Sequence, residues 1–196
     1  MNVRTKLVLL SALGATVTGA LAISTFVEFR SIRGNIDSMQ VTATALRHQL
    51  EADMMHDALR GDVLAALLAE TPEEIAQARK DFTEHAEWFR GSIGANNELA
   101  LSESVRDSLG KVREPLEAYI RAADGIIASA AKNKEEAKGQ MPAFLGAFST
   151  LEESMESVSD VVQGDVSGAN EHANAGMRTA TWACLLYTSP SPRDAT

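Results

Sequence analysis

The stretch from Leu7 to Val27 contains no charged residue, and it constrains the chain more than any other feature. It is long enough to cross a hydrocarbon core of about 30 Å as a helix. Arg4 and Lys6 precede it, and such cations stay in the cytoplasm, which places everything after Glu28 outside. A cleaved signal peptide is the competing reading, with Ala20–Ala22 as a small-residue cleavage site. The apolar run exceeds the about 7 to 15 residues of a signal h-region, which favours an uncleaved anchor in the inner membrane with most of the chain in the periplasm. Residues 1–6 are then a cytoplasmic N-terminus and residues 7–27 a transmembrane helix.

Beyond the anchor, from residue 28 to 178, the apolar residues recur at helical spacing and no alternating run long enough for a strand occurs. The first helix continues out of the span to about Ala69. It stops before Glu70-Thr71-Pro72-Glu73-Glu74, where Thr71 can cap a new helix, Pro72 suits its first position and Glu74 completes a capping box. The second helix carries Ile75, Ala78, Phe82, Ala86, Phe89 and Ile93 as one seam, and the third carries Leu101, Val105, Leu109, Val112, Leu116, Ile120, Ala123 and Ile127. Pro115 lies inside the third and is expected to kink or restart it. The fourth holds Met141, Phe144, Phe148, Leu151, Met155, Val158 and Val162. Four amphipathic helices with short turns bury their stripes as an antiparallel up-down-up-down bundle. The predicted fold is therefore all-α, an antiparallel four-helix bundle whose first helix is continuous with the transmembrane helix.

A formal charge of −9 without a basic stripe argues against nucleic acid as a partner. No nucleophile beside a base and no phosphate-binding glycine loop occurs, so catalysis is not expected of this chain. No cofactor and no metal site is predicted. A di-iron bundle needs paired Glu-x-x-His motifs on two helices and two further Glu, and only Asp53-x-x-His56 comes near. His85 beside Asp81 reads as a surface pair, His48 as solvent-facing and His172 as part of a polar helix end. Met54 and Met55 read as gap-fillers rather than copper ligands.

The sequence changes character at Cys184. The segment 184–196 holds two of the five prolines and the only cysteine, and Cys184–Asp194 looks like a reading frame of a transposase-based sequencing adapter. It is set aside from the fold as non-native read-through. The residues before it, Gly176 to Ala183, pass from Arg178 through Trp182 into small apolar side chains. A chain re-entering a membrane at an aromatic belt has this pattern, so residues 179–183 read as the start of a truncated second span, and 28–178 as the extracytoplasmic bundle.

The stretches Met54–Leu67, Arg113–Asp124 and Met141–Asp160, together with an inside-out anchor and a closing span, resemble the sensory region of bacterial methyl-accepting chemotaxis receptors. The resemblance implies a homodimer that senses a small-molecule ligand outside the membrane and passes the signal through the second span. Similar bundles also precede membrane histidine kinases. A secreted four-helix bundle that carries a metal or small molecule is the alternative from another class.

One polar patch interrupts the first helix. At about 100° per residue, Asp53, His56, Asp57 and Arg60 fall within an arc of about 120° that also holds Leu46, Leu50, Leu64, Leu67 and Leu68. Arg47, Glu51 and Asp62 lie opposite, on the side read as solvated. Unpaired charges on a core-facing stripe are costly, so the four polar groups are expected to pair with one another, with another subunit or with a ligand. One reading is a structural polar layer that sets register. In the other, His56 and Arg60 contact ligand, with Arg60 gripping a carboxylate in bidentate fashion.

Overall fold

The computed structural model describes residues 2–188, with the side chains of His172, Ala180 and 183–188 outside the description. The expectations for His172 and for most of the segment from Cys184 therefore lie outside the described residues. Among those described, every regular element is helical: α1 (Val3–Leu68), α2 (Pro72–Ala95), a 3₁₀ turn (Asn96–Glu98), α3 (Glu103–Ala130), α4 (Lys134–Gly139) and α5 (Met141–Thr188). The fold is all-α, as the sequence predicts. The short α4 is an addition to it. Asn133 caps this helix by accepting from the backbone N–H groups of Glu135 and Glu136, the ordinary role of Asn at an N-cap.

The chain divides into two compact units, residues 1–39 with 167–196, and residues 40–166. The first contains one stretch long and apolar enough to cross a membrane, near the N-terminus and with none of its window buried inside the protein. Leu10, Leu13, Phe26 and Val27 are all exposed there. The hydroxyls of Thr16, Thr18 and Thr25 donate back to carbonyls three or four residues earlier in the helix. Such back-bonding satisfies these three hydroxyls within the helix itself.

The second unit is the bundle. Neighbouring helices run antiparallel, as their cross-contacts show. His48 of α1 meets Asn96 just past the end of α2 and Asp62 meets His85 between α1 and α2, whereas Arg90 meets Glu117 and Arg79 meets Asp124 between α2 and α3. Gln49 reaches the Met155 carbonyl and His56 stacks on Phe148 between α1 and α5. The entry to α2 is built as the sequence implies. Thr71 accepts from the Glu74 N–H, Glu74 accepts from the Thr71 N–H in return, and Pro72 occupies the first turn. Hydrogen bonds from the Glu70 and Thr71 backbones hold the Glu74 carboxyl below the usual carboxylate range.

The seams of α2, α3 and α5 are buried where the periodicity places them, with Phe89, Val112, Ile127, Phe144 and Leu151 at or near zero exposure. Pro115 does not divide α3, which is one helix from Glu103 to Ala130. Proline costs that helix one hydrogen bond, but Val112 and Leu116 on either side are buried in the common core, and their burial holds the helix together across it.

Helix α1 departs from the expectation. Leu46, Leu50, Leu64 and Leu68, assigned to the core, are exposed by 46%, 58%, 42% and 78%. The buried positions are Ala45, Gln49, Ala52, His56, Leu59, Val63 and Ala66, with Met55 and Asp62 at the margin. These seven sit one residue before Leu46, Leu50, Asp53, Asp57, Arg60, Leu64 and Leu67. The helix thus carries two heptad seams offset by one position, and the buried one is turned by about 100° from the expected one. The small side chains of Ala45, Ala52 and Ala66 let the neighbouring helices approach closely. Leu46, Leu50, Leu64 and Leu68 are left on the outer face, while Leu67 stays partly buried against the core.

Candidate functional site

The rotation of α1 separates the four polar residues singled out in the sequence. His56 is buried, at 3% exposure. Asp53, Asp57 and Arg60 are exposed, so they do not form a buried polar layer with it. Asp57 and Arg60 make the local i,i+3 pair at 3.9 Å, with both side chains largely in solvent. Asp62, expected in water, is instead buried.

His56 is the centre of an aromatic box contributed by all the long helices. Its ring stacks on Phe148 of α5 at 3.9 Å between centroids and 16° between planes. Tyr119 of α3 lies 5.1 Å away and Phe89 of α2 lies 6.4 Å away, both tilted. Tyr119 in turn stacks on Phe144 at 5.2 Å and donates its hydroxyl to the His56 carbonyl at 2.8 Å. This donation gives the buried phenol the partner it needs. Arg60 closes the outer side, its guanidinium carbon 5.1 Å from the Phe148 centroid, within range of a cation–π contact.

Burial lowers the His56 pKa, and the fields of Asp57, Asp53 and Glu152 with a backbone contact to Phe148 offset this only in part. The imidazole is thus held in its neutral form, since desolvation penalises the charged one. Its Nε2 is buried and has no hydrogen-bond partner in the protein. A water or a ligand atom could serve such a buried polar atom as its partner. The box offers apolar walls and one polar group able to donate or accept.

Two more polar groups line the buried seam of α1. Gln49 donates Nε2 to the Met155 carbonyl at 3.2 Å and leaves its Oε1 buried without a donor. Further along, Asp62 Oδ2 lies 2.8 Å from His85 Nδ1. Burial raises the Asp62 pKa and the hydrogen bond with His85 opposes the rise. His85 therefore pairs with Asp62 across the helix interface rather than with Asp81 on its own helix, and His48 is half-buried against Asn96 at 3.0 Å.

Sequence reasoning located His56 but missed its partners Tyr119 and Phe148 as site residues, missed Gln49, and put the buried Asp62 on the solvated face. A usable signal was present. Gln49, His56 and Val63 recur every seven residues, in register with Ala45, Ala52, Leu59 and Ala66.

The bundle with its apolar N-terminal helix matches the family model described as a four helix bundle sensory module for signal transduction, over residues 1–176. The chain belongs to this family. No curated protein and no solved structure matches it. The sensory module is that of methyl-accepting signal-transduction proteins, a signalling family rather than a catalytic one. Among the described residues of this module, the His56 box is the place where a buried polar atom without a partner meets aromatic walls.

Proposed function

We propose that this chain is the ligand-binding part of a transmembrane chemotaxis receptor, that it carries no catalytic activity of its own, and that it passes an extracytoplasmic signal across the inner membrane. The observation that carries the reading is the continuity of α1, one helix from Val3 to Leu68. The helix that holds His56 is the same helix that supplies the apolar span. A ligand that binds one arrangement of the bundle better than another shifts the equilibrium between them by its differential affinity. A displacement of α1 within the bundle is the route by which that shift would reach the span. Arg4 and Lys6 ahead of the apolar span support a bundle in the periplasm, and a second span from about Thr179 would return the chain to the cytoplasm.

The receptor works as a homodimer, and the outer seam of α1 supports this. The exposed Leu46, Leu50 and Leu64 alternate with Asp53, Asp57 and Arg60 at a strict spacing of three and four. That is the pattern of a coiled-coil seam with polar residues that specify register. In the homodimer Arg60 and Asp57 pair with each other or with their counterparts, and the leucines bury one another.

Disulfide cross-linking in native membranes tests both parts of the reading. In a Cys184→Ser background, Leu50→Cys and Leu64→Cys are expected to cross-link spontaneously between subunits and to react with a membrane-impermeant maleimide added from outside. Val63→Cys, on the inner seam, is expected to do neither. Leu50→Cys that stays monomeric would remove the α1 seam, and labelling only after the cells are opened would reverse the topology.

A further inference from the structure

A groove of about 400 Å³ runs between α2 and α3, and no residue of the outer α1 seam lines it. The register of the two helices explains where it opens. Arg90 pairs with Glu117 and Arg79 with Asp124, and the antiparallel register that these pairs fix brings Gly94 of α2 opposite Gly110 and Arg113 of α3. Both helices therefore lose a side chain at the same level. Glycine is the poorest helix former after proline, and neither position needs it for packing or for a turn. A Cβ at Gly94 or Gly110 would meet nothing within 4 Å, and neither residue has a positive φ. What the facing glycines do is leave the groove open, over a floor of Ile93, Leu109 and Leu116.

The charged residues that line the groove are Arg90, Arg113 and Glu117, an excess of one positive charge in a chain of net charge −9. Glu117 is already committed. It accepts from Nε and Nη2 of Arg90, both at 2.8 Å, and these bonds, with the fields of Arg90, Arg121 and Arg113, hold its carboxyl below the usual carboxylate range. Arg113 is the cation left over, exposed and in no ion pair among the described residues. A guanidinium grips a carboxylate through two parallel N–H···O bonds, and the volume is in the range of a small-ligand site. One free cation beside an apolar floor matches one carboxylate on a hydrocarbon body, whereas a dicarboxylate would find no second free cation in the lining. We infer that the α2–α3 groove binds a small aliphatic monocarboxylate, its carboxylate held by Arg113 and its chain lying over Gly94 and Gly110 against Ile93 and Leu109. This rests on the reading of the bundle as a sensor and names the chemical class of what it senses. The groove also has a link to α1, because Asn97 in its lining follows Asn96, whose side-chain oxygen meets His48 of α1 at 3.0 Å.

The test is isothermal titration of the full chain, reconstituted in nanodiscs of zwitterionic lipid, with sodium hexanoate, after subtraction of the same titration into empty nanodiscs. Acetate, which keeps the charge without the chain, and hexanamide, which keeps the chain without the charge, serve as comparators. Hexanoate is expected to bind with at least tenfold higher affinity than either. Arg113→Gln should weaken it at least tenfold, and Gly110→Leu, which fills the groove from an exposed position, should abolish it while circular dichroism shows the same helicity and an unchanged melt. Absence of binding at millimolar hexanoate would overturn the inference. So would acetate binding as tightly as hexanoate, which would mean a surface anion contact only, hexanamide doing so, which would remove Arg113 from the recognition, or either variant binding like the parent. The cross-linking and labelling that test the sensor reading involve no carboxylate. A silent titration on a chain that passes them therefore removes the carboxylate site alone, and a chain that binds hexanoate but fails them removes the receptor reading alone.

Discussion

Helices α1 and α3 cross the same core, yet they are built on opposite plans. In α3 the large side chains face inward: Val112, Leu116, Tyr119, Ile120 and Ile126 are all buried, and the outer face is Arg, Glu, Asp and Lys. In α1 the inward face mixes alanine and Leu59 with Gln49, His56 and Asp62, and Leu46, Leu50, Leu64 and Leu68 point out. A helix that meets only its own bundle needs one apolar stripe, as α3 has. A helix with two stripes has two surfaces to satisfy, and the one with the smaller and more polar residues is the one that the bundle fills. The difference assigns α3 a packing role and leaves α1 with a second face and with the buried polar groups of the candidate site.

The comparison breaks first at the core. Leu59→Ala in α1 and Leu116→Ala in α3 remove fully or almost fully buried side chains, and each is expected to cost about 2 to 5 kcal/mol. Urea denaturation followed by circular dichroism measures both. Equal costs would show that the two helices share one core despite their different composition. A Leu59→Ala cost under about 0.5 kcal/mol, the range of a surface change, would put the inner seam of α1 in the wrong place.

Much of this bundle was legible before its structure, and the part that was not has a physical cause. The capping box at Thr71 and Glu74 is local chemistry, complete within four residues, and it stands as read. The seams of α2 and α3 were legible because each offers a single stripe to bury. In α1 the two stripes at residues 45–66 and 46–67 differ by one position, and hydrophobicity alone selects the leucines. What decides instead is how closely α2, α3 and α5 approach, a property of three other helices. The same holds for the site. His56 stood out as a histidine among apolar residues, but Tyr119 and Phe148 are 63 and 92 positions away in the chain, and nothing local joins them.

Acid should expose the difference in polar content between the helices. The His56 pKa is lowered by burial, so the fold binds a proton there less readily than the unfolded chain. The stability that this group contributes is present above its ordinary pKa of about 6.5 and is lost as pH falls through the lowered value. One proton limits the slope to about 1.4 kcal/mol per pH unit. Asp62 acts with the opposite sign. Its pKa is raised by burial, so its contribution is greatest below the ordinary carboxylate value and declines as pH rises through the raised one. Melting curves between pH 7 and pH 5 are therefore expected to fall for the parent chain and to flatten in His56→Phe, whereas Asp62→Asn leaves the His56 slope in place. A His56→Phe variant as acid-sensitive as the parent would mean that another group governs this range.

A smaller effect probes the bond that ties α3 to α1. Tyr119→Phe deletes only the hydroxyl that donates to the His56 carbonyl at 2.8 Å and keeps the ring stacked on Phe144. The cost should be about 0.5 to 1.5 kcal/mol, the net worth of a typical hydrogen bond. A loss of several kcal/mol would mean that the whole aromatic box depends on this one contact.

The smallest effect on stability is expected from the most apolar substitution site. Leu50→Ala and Leu64→Ala remove large side chains, but from positions 58% and 42% exposed, so the folded monomer loses little burial and the change should stay within about 0.5 kcal/mol. The equivalent change at Leu116 is several times larger, although the side chain is the same. If the outer seam is covered by a second copy of α1, the same two variants should shift the chain from dimer to monomer in analytical ultracentrifugation while their monomer melts barely move. Stability and assembly would then be separated along a single helix, by residues that neighbour one another in sequence. A large loss of monomer stability in Leu64→Ala would instead return the leucines to the core, and the two-seam description of α1 would fall with it.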